Sequence, residues 1–200
     1  MELLLICLVA FLASGLTLFS GFGLGTLLLP VFSLFFPVDI AVAMTAIVHF
    51  LNNVFKILLF KKYINRKLVF RFGIPSVIAA VAGAILLNQL GKGSPITTYS
   101  IGNSIFHITI LKIVIGVLMI IFALFELIPA LKKLSIDTKY LPAGGLLSGF
   151  FGGLSGHQGA LRSAFLLRLQ LSKEQFIATG IAIACMIDIS RLSVYAVNIK

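Results

Sequence analysis

Three long stretches of the chain carry no charged residue, and they limit what the chain can fold into. They span residues 3–38, 72–91 and 140–161. About 20 helical residues cross the roughly 30 Å hydrocarbon core of a bilayer, so each stretch is long enough to cross. Only 11% of the residues are charged, against about 25% in an ordinary soluble domain. The pattern predicts an integral membrane protein whose main partner is the lipid bilayer.

The net charge of +10 does not indicate a nucleic-acid-binding protein, because no soluble basic face is predicted. The basic residues lie mostly in short loops between apolar segments, above all at 61–71 and 131–139. Short loops rich in Lys and Arg stay on the cytoplasmic side. We therefore expect a multi-pass protein of the plasma or inner membrane, with both loops on the cytoplasmic side. Because the first apolar run follows no basic segment and exceeds a signal-peptide core, we expect it to be retained.

The chain contains apolar segments of two lengths. Long helices are predicted over about 3–19, 38–60, 72–90, 106–128, from 141 onward and over 171–197. Two shorter segments, 26–36 and one ending near 169, are too short to cross a membrane at 1.5 Å per residue. Each follows a glycine-rich break, SGFGLG at 20–25 and GFFGGLSGHQGALRS at 149–163. Residues 91–105 are predicted to form an external polar loop.

The two breaks belong to an internal repeat with an offset of 134 residues. At that offset Ser14, Gly15 and Gly25 coincide with Ser148, Gly149 and Gly159, and Thr45 coincides with Thr179. This predicts one membrane domain over 1–200, with repeats at about 1–134 and 135–200, the second incomplete. Five apolar segments per repeat would invert the second copy, a transporter signature. If the short segments are re-entrant, the count changes.

Broken helices inside a membrane survive only where protein covers them or where they line a wet cavity. A helix that begins after a break presents free N–H groups, and two such ends would bind an anion. Arg162 offers a planar donor fork for an oxyanion, or it snorkels or pairs with a carboxylate. His157 could relay a proton or be structural. The glycines could instead serve close helix packing.

A polar stripe follows one face of the helix predicted over 38–60. Its members recur at helical spacing: Thr45, His49, Asn52, Asn53 and Lys56. They fit an anion path or interhelical hydrogen bonds. Asp188 and Arg191 lie three residues apart and are expected to neutralise each other. Glu126 is expected at the cytoplasmic interface, near Lys132 and Lys133.

No enzyme is predicted, because no nucleophile, base and acid occur together. Neither a metal-ligand spacing nor a phosphate-binding glycine loop is present, so we expect no cofactor, no metal and no ATP-driven transport by this chain. Cys7 and Cys185 lie in apolar segments and are expected to be small core residues without a disulfide.

The chain resembles the TauE/SafE family of membrane proteins, also described as sulfite exporters. The resemblance rests on GFGLGTLLLPVFSLFFPVDIAVAMTAIVHFLNN and SGFFGGLSGHQGALRSAFLLRLQLSKEQFIATG. It covers nearly the whole chain. The family's motif positions correspond to Gly21, Gly23, Gly25, Pro30 and Thr45 in the first copy and Gly152, Gly153, Gly156, Gly159 and Thr179 in the second.

The resemblance implies a polytopic plasma-membrane transporter for small sulfur-containing or organic anions, such as sulfite, sulfoacetate or thiosulfate. It also implies export or uptake driven by an ion gradient. Ala164 stands where the first copy has Pro30, and GHQGALRS departs from the family pattern, which indicates a different substrate in this subgroup. The second copy ends after one long helix, so we expect further C-terminal helices or a homo-oligomer to complete it.

The predicted fold is therefore an all-α polytopic helical bundle with two related, inverted repeats and glycine-broken short helices. The predicted function is gradient-driven transport of a small anion; the alternatives are a non-transporting membrane scaffold or subunit and an anion channel. Arg162 would anchor the anion, with His157 or Asn52 as hydrogen-bond partners. The predicted binding residues are Gly21, Gly23, Gly25, Thr45, His49, Asn52, Asn53, Gly152, Gly153, Gly156, His157, Gln158, Gly159, Arg162 and Thr179.

Overall fold

The computed structural model describes residues 2–17, 23–102, 104–132 and 136–198. Over these residues the chain is mostly helical, with one β-hairpin. The helices are α1 (Glu2–Leu16), α2 (Leu24–Phe35), α3 (Val38–Phe60), α4 (Arg66–Gly91), α5 (Ile110–Leu127), α6 (Pro129–Lys132), α7 (Leu141–Ser155), α8 (Gly159–Leu166) and α9 (Lys173–Asn198). Within the described residues, four helices are long and apolar enough to cross a membrane: α3, α4, α5 and α9.

Most predicted helices are confirmed, but α4 begins at Arg66 instead of residue 72. The cause is a helix cap in the basic segment. The side chain of Asn65 accepts a hydrogen bond from the backbone N–H of Leu68 at 3.2 Å, which satisfies one of the unpaired donors of the first turn. Arg66, Lys67 and Arg71, which belong to the predicted basic loop, therefore lie in the first turns of α4.

The predicted external loop instead contains an antiparallel hairpin of β1 (Thr97–Ile101) and β2 (Ser104–Ile108). Gly102 allows the tight turn because its φ is +60°. Tyr99 and Phe106 face each other across the strands, with ring centroids 5.3 Å apart. Because residues 104–108 are a strand, α5 starts at Ile110, after the cap Thr109, and not at 106.

Helices α4 and α7 form the closest helix pair, along a seam of glycines. A Cβ atom at Gly149 would lie 2.7 Å from the carbonyl carbon of Ser76, which is closer than real side chains approach. Small residues let helix backbones approach in this way in membranes. The seam runs in parallel along both helices, with Gly145 against Phe72, Gly149 against Ser76 and Gly153 against Ala80.

This packing corrects the predicted second break. Residues 149–155 continue α7, and the chain leaves the helix only at Gly156. Gly152 and Gly153 therefore lie in a helix and not in a loop. Gly149 and Gly153 instead allow close helix packing, the alternative role that the sequence left open for these glycines.

Helices α7 and α8 turn back on each other, and α9 runs antiparallel to α3. Ser148 in α7 donates a hydrogen bond to the carbonyl oxygen of Gln158, just before α8. Residues at the start of α3 share a groove with the end of α9, as Met44 and Tyr195 illustrate. One apolar cluster lies around α2 and α3 and another among α4, α7, α8 and α9. Polar and charged residues of α3, α8 and α9 are buried as well.

Candidate functional site

The two glycine breaks meet inside the protein. Gly23, at the start of α2, has φ +97°, and Gly156, at the end of α7, has φ +83°. Both values favour glycine over residues with a Cβ atom. A Cβ atom at Gly25 would lie 3.1 Å from the carbonyl oxygen of Gly156. The first turns of α2 and α8 are thereby brought to one place.

A small cavity, here called the junction cavity, lies between the breaks. It has room for about one water molecule, because its volume of about 10 Å³ matches the 10–15 Å³ that one water needs. Six predicted binding residues line it, together with four that were not predicted to bind. They are Gly23, Gly25, His49, Gly156, His157 and Gly159, and then Thr26, Phe122, Glu126 and Ala160.

Glu126 contacts the start of α2, a contact that its prediction as an interface residue does not include. Its carboxylate accepts a hydrogen bond from the Thr26 hydroxyl at 2.9 Å. It also lies beside Gly23, whose Cβ position would be 3.5 Å from Glu126 Oε2. Glu126 is half-buried and faces the start of α2, where the helix dipole favours a negative charge.

His157 is buried in the linker between α7 and α8. Its ring stacks on Phe122, with centroids 5.2 Å apart and an interplanar angle of 3°. Its Nδ1 lies 3.1 Å from Ser155 Oγ. The described residues supply no hydrogen-bond partner to its Nε2, although buried polar atoms are nearly always paired.

Asp188 is the centre of a buried polar network beside the junction cavity. It accepts hydrogen bonds from Arg191 at 2.7 and 3.0 Å and from Gln158 Nε2 at 3.0 Å. Its Oδ2 lies 2.6 Å from His49 Nδ1. Because a carboxylate only accepts, we assign the Nδ1 proton to His49. Asn53 adds a longer contact at 3.4 Å.

The predicted pairing of Asp188 with Arg191 is confirmed, and Arg191 also secures the end of α7. Its Nη1 donates to the carbonyl oxygen of Gly152 at 3.1 Å. The hydroxyl of Tyr195 donates to the carbonyl oxygen of Gly153. The last carbonyl groups of a helix lack partners within it, and a cation is favoured at that end. Helix α9 thus holds the second break in place.

Arg162 is fully enclosed between α8 and α9 and does not line the junction cavity. Its Nη1 donates to Gln158 Oε1 at 3.1 Å, and its Nε lies 3.3 Å from the Cβ position of Gly180. Lys56 is buried nearby and donates to the carbonyl oxygen of Thr17 at 2.8 Å. Around the network and the cavity, Lys56, Arg162 and Arg191 face Asp188 and Glu126. Among the described residues named here, three cationic side chains therefore accompany two carboxylates.

Four predicted binding residues lie away from this cluster, and one is outside the described residues. Thr45 donates to the carbonyl oxygen of Ala41 in its own helix. Thr179 accepts from the backbone N–H of Asn65 at the start of α4. Asn52 lines an apolar surface groove against α1, so it is not placed to bond an anion in the junction cavity. Gly153 belongs to the α4–α7 seam, and Gly21 is not among the described residues.

The fold and the site define a class of protein. It is a multi-pass helical membrane protein with charged residues buried where its helices break. The chain matches the family described as Sulfite exporter TauE/SafE over residues 6–200, and it belongs to that family. No curated protein and no solved structure matches it. The family consists of membrane transporters for sulfur-containing anions and not of enzymes. Within the described residues, no cluster of three or more His, Cys, Asp or Glu could hold a metal ion.

Proposed function

We propose that this chain carries a small sulfur-containing or organic anion across the plasma or inner membrane, and that the anion binds where the two glycine breaks meet. The observation that carries the proposal is the convergence of two helix starts, those of α2 and α8, on one cavity. Backbone N–H groups at helix starts bind anions. The excess of buried positive charge from Arg162, Arg191 and Lys56 adds to the attraction.

Inverted repeats would give this site its position in the membrane. The offset of 134 residues brings α2 onto α8 and its following turn, and it brings α3 onto α9. The antiparallel directions of α3 and α9 support inversion, since each would enter the membrane from the opposite face. At 1.5 Å per residue, α2 is about 18 Å long, too short to cross a roughly 30 Å hydrocarbon core, so one end of α2 would lie within that core.

The cavity is closed in this conformation. Room for about one water is too little for sulfite, which has four heavy atoms. Transport by alternating access therefore requires the starts of α2 and α8 to separate. The Thr26–Glu126 hydrogen bond and the contact of Gly25 with Gly156 are the links that would loosen. The α4–α7 seam would remain a rigid support.

Flux measurements on the purified chain in liposomes test the proposal. We expect saturable uptake of radiolabelled sulfite, thiosulfate or sulfoacetate. Arg162→Gln should reduce uptake at least tenfold, because removing a buried charge that attracts the anion costs more than about 1.4 kcal/mol. Arg71→Gln is the matched control, since Arg71 is an exposed cation in α4 and should not affect uptake.

Three results would contradict the proposal. Wild-type uptake that equals that of empty liposomes would favour a scaffold or subunit. Conductance that does not saturate would favour a channel. Uptake that is unchanged in Arg162→Gln at every anion concentration would show that the charge of Arg162 does not attract the anion. A homo-oligomer stays a prediction, which the mass of the complex in detergent would check.

A further inference from the structure

Glu126 is the acidic side chain that lines the junction cavity. It sits in the last turn of α5, and Phe122 lies one turn earlier on the same helix face. His157 stacks on Phe122. The same face of α5 therefore positions both Glu126 and His157 at the cavity. An acidic residue inside a membrane helix is costly and points to a function.

The hydrogen bonds of His157 leave its second nitrogen as an acceptor. Ser155 Oγ donates its only hydrogen to the carbonyl oxygen of Phe151 at 3.0 Å. It must therefore accept from His157, so Nδ1 carries the ring proton and Nε2 accepts. No donor among the described residues reaches Nε2. A carboxylate cannot supply one, but a neutral carboxylic acid can.

An arriving anion would compete with the Glu126 carboxylate. Both are attracted to the free N–H groups at the start of α2, and two like charges in one small cavity repel each other. Protonation of Glu126 removes this repulsion. It also creates an O–H group that can donate to His157 Nε2, directly or through one water. Anion and proton would thus stabilise each other in the cavity.

We propose that Glu126 carries the proton that is transported together with the anion, and that His157 Nε2 accepts the hydrogen bond of its protonated carboxyl group. The inference rests on the proposed function and adds its coupling ion. The carboxylate takes one proton from water on the side from which the anion enters, and it releases the proton to water on the other side. Each dianion then moves with one proton and a net charge of minus one.

The other charged or titratable groups around the cavity come from two elements, α3 and α9. His49 approaches from α3 with Nδ1 bonded to Asp188, and Arg191 approaches from α9, with Nη1 3.0 Å from the Cβ position of Gly156. Helix α2 contributes no titratable side chain. Arg191 and Asp188 are already paired with each other. Glu126, His49 and His157 are the titratable side chains that line the cavity itself.

The test measures protons and sulfite together in liposomes that contain the whole chain and a trapped pH dye. At alkaline pH sulfite is a dianion, so a proton that enters with it must be carried by the protein. We expect about one proton per sulfite in the wild type, since Glu and His side chains form proton relays in transporters. Glu126→Gln keeps the shape and the acceptor for Thr26 but cannot titrate. It should carry sulfite without a proton and with a larger current per sulfite.

Two further variants separate coupling from structural damage. Glu126→Asp retains a carboxyl group and should retain proton uptake. Asp39→Asn removes an acid at the start of α3, beside Gly91 and away from the cavity, and should behave as the wild type. A wild-type proton ratio in Glu126→Gln, or wild-type sulfite uptake without protons, would overturn the inference alone. A wild type that transports no sulfite would overturn the proposed function.

Discussion

Among the single isosteric substitutions in the described residues, replacing Asp188 with Asn should destabilise the protein most. Asp188 is fully buried and accepts hydrogen bonds from Arg191, Gln158 and His49. Asn keeps one acceptor oxygen and replaces the other with a donor. That donor would face the N–H group of either Arg191 or His49. Arg191 and Arg162 would also lose their buried counter-charge.

The expected cost follows from these contacts. Breaking a buried ion pair by removing one partner costs about 3–5 kcal/mol, because an uncompensated charge stays inside. At about 1.4 kcal/mol per tenfold, the unfolding equilibrium should shift at least a hundredfold. Asp188→Asn combined with Arg191→Gln should lose less than the sum of the single variants, because the double variant leaves one buried charge fewer.

The assay is reversible unfolding in SDS, followed by far-ultraviolet circular dichroism. Asp39→Asn is the control; it removes a carboxylate from the first turn of α3 and should cost less than about 1 kcal/mol. Equal losses for Asp188→Asn and Asp39→Asn would refute the reasoning. Additive losses in the double variant would refute the specific pairing of Asp188 with Arg191.

Three more predictions concern the elements that hold the site. Gly149→Ala should cost about 1–3 kcal/mol of unfolding free energy, because the added methyl group overpacks against Ser76. Gly116→Ala is the control and should cost nothing, because no atom lies within 4 Å of its Cβ position. Equal stability of the two variants would contradict close packing at the α4–α7 seam. Tyr195→Phe should lose about 1 kcal/mol through its hydrogen bond to α7, and an unchanged value would show that this bond is dispensable. Asn65→Ala should lose about 1 kcal/mol as the cap of α4, measured in the same SDS titration, while Asn65→Asp should keep most of the stability.

The sequence predicts the long helices well because their signal is local. Pro37 and Asp39 mark the start of α3, and an uninterrupted apolar run marks its length. The start of α4 differs from the predicted residue 72 because Asn65, which caps the helix, lies among the basic residues of 61–67, which favour a loop. The hairpin was missed although alternating β-branched and aromatic residues flank Gly102, a pattern that favours paired strands.

The site was predictable only in part, because its chemistry depends on contacts between distant residues. The helical spacing of His49 and Asn53 and the break at Gly156 indicated polar residues that do come together. Glu126 meets Thr26 across 100 positions, and no local pattern announces that contact. In the sequence, Glu126 stands out only as a single acidic residue in an apolar helix, and that pattern also fits a residue at the membrane interface. Gly149 and Gly153 have the spacing of a packing seam, but helical spacing alone does not distinguish packing from binding.

Filling the junction cavity tests most directly whether anions pass through it. Ala160 lines the cavity at the start of α8, and Ala160→Leu adds three carbon atoms where there is room for about one water. Ala143→Leu makes the same change on the exposed face of α7. With both variants monodisperse in detergent, Ala160→Leu should abolish radiolabelled sulfite uptake and Ala143→Leu should retain it. Uptake by Ala160→Leu at the wild-type rate would mean that the anion crosses the protein elsewhere.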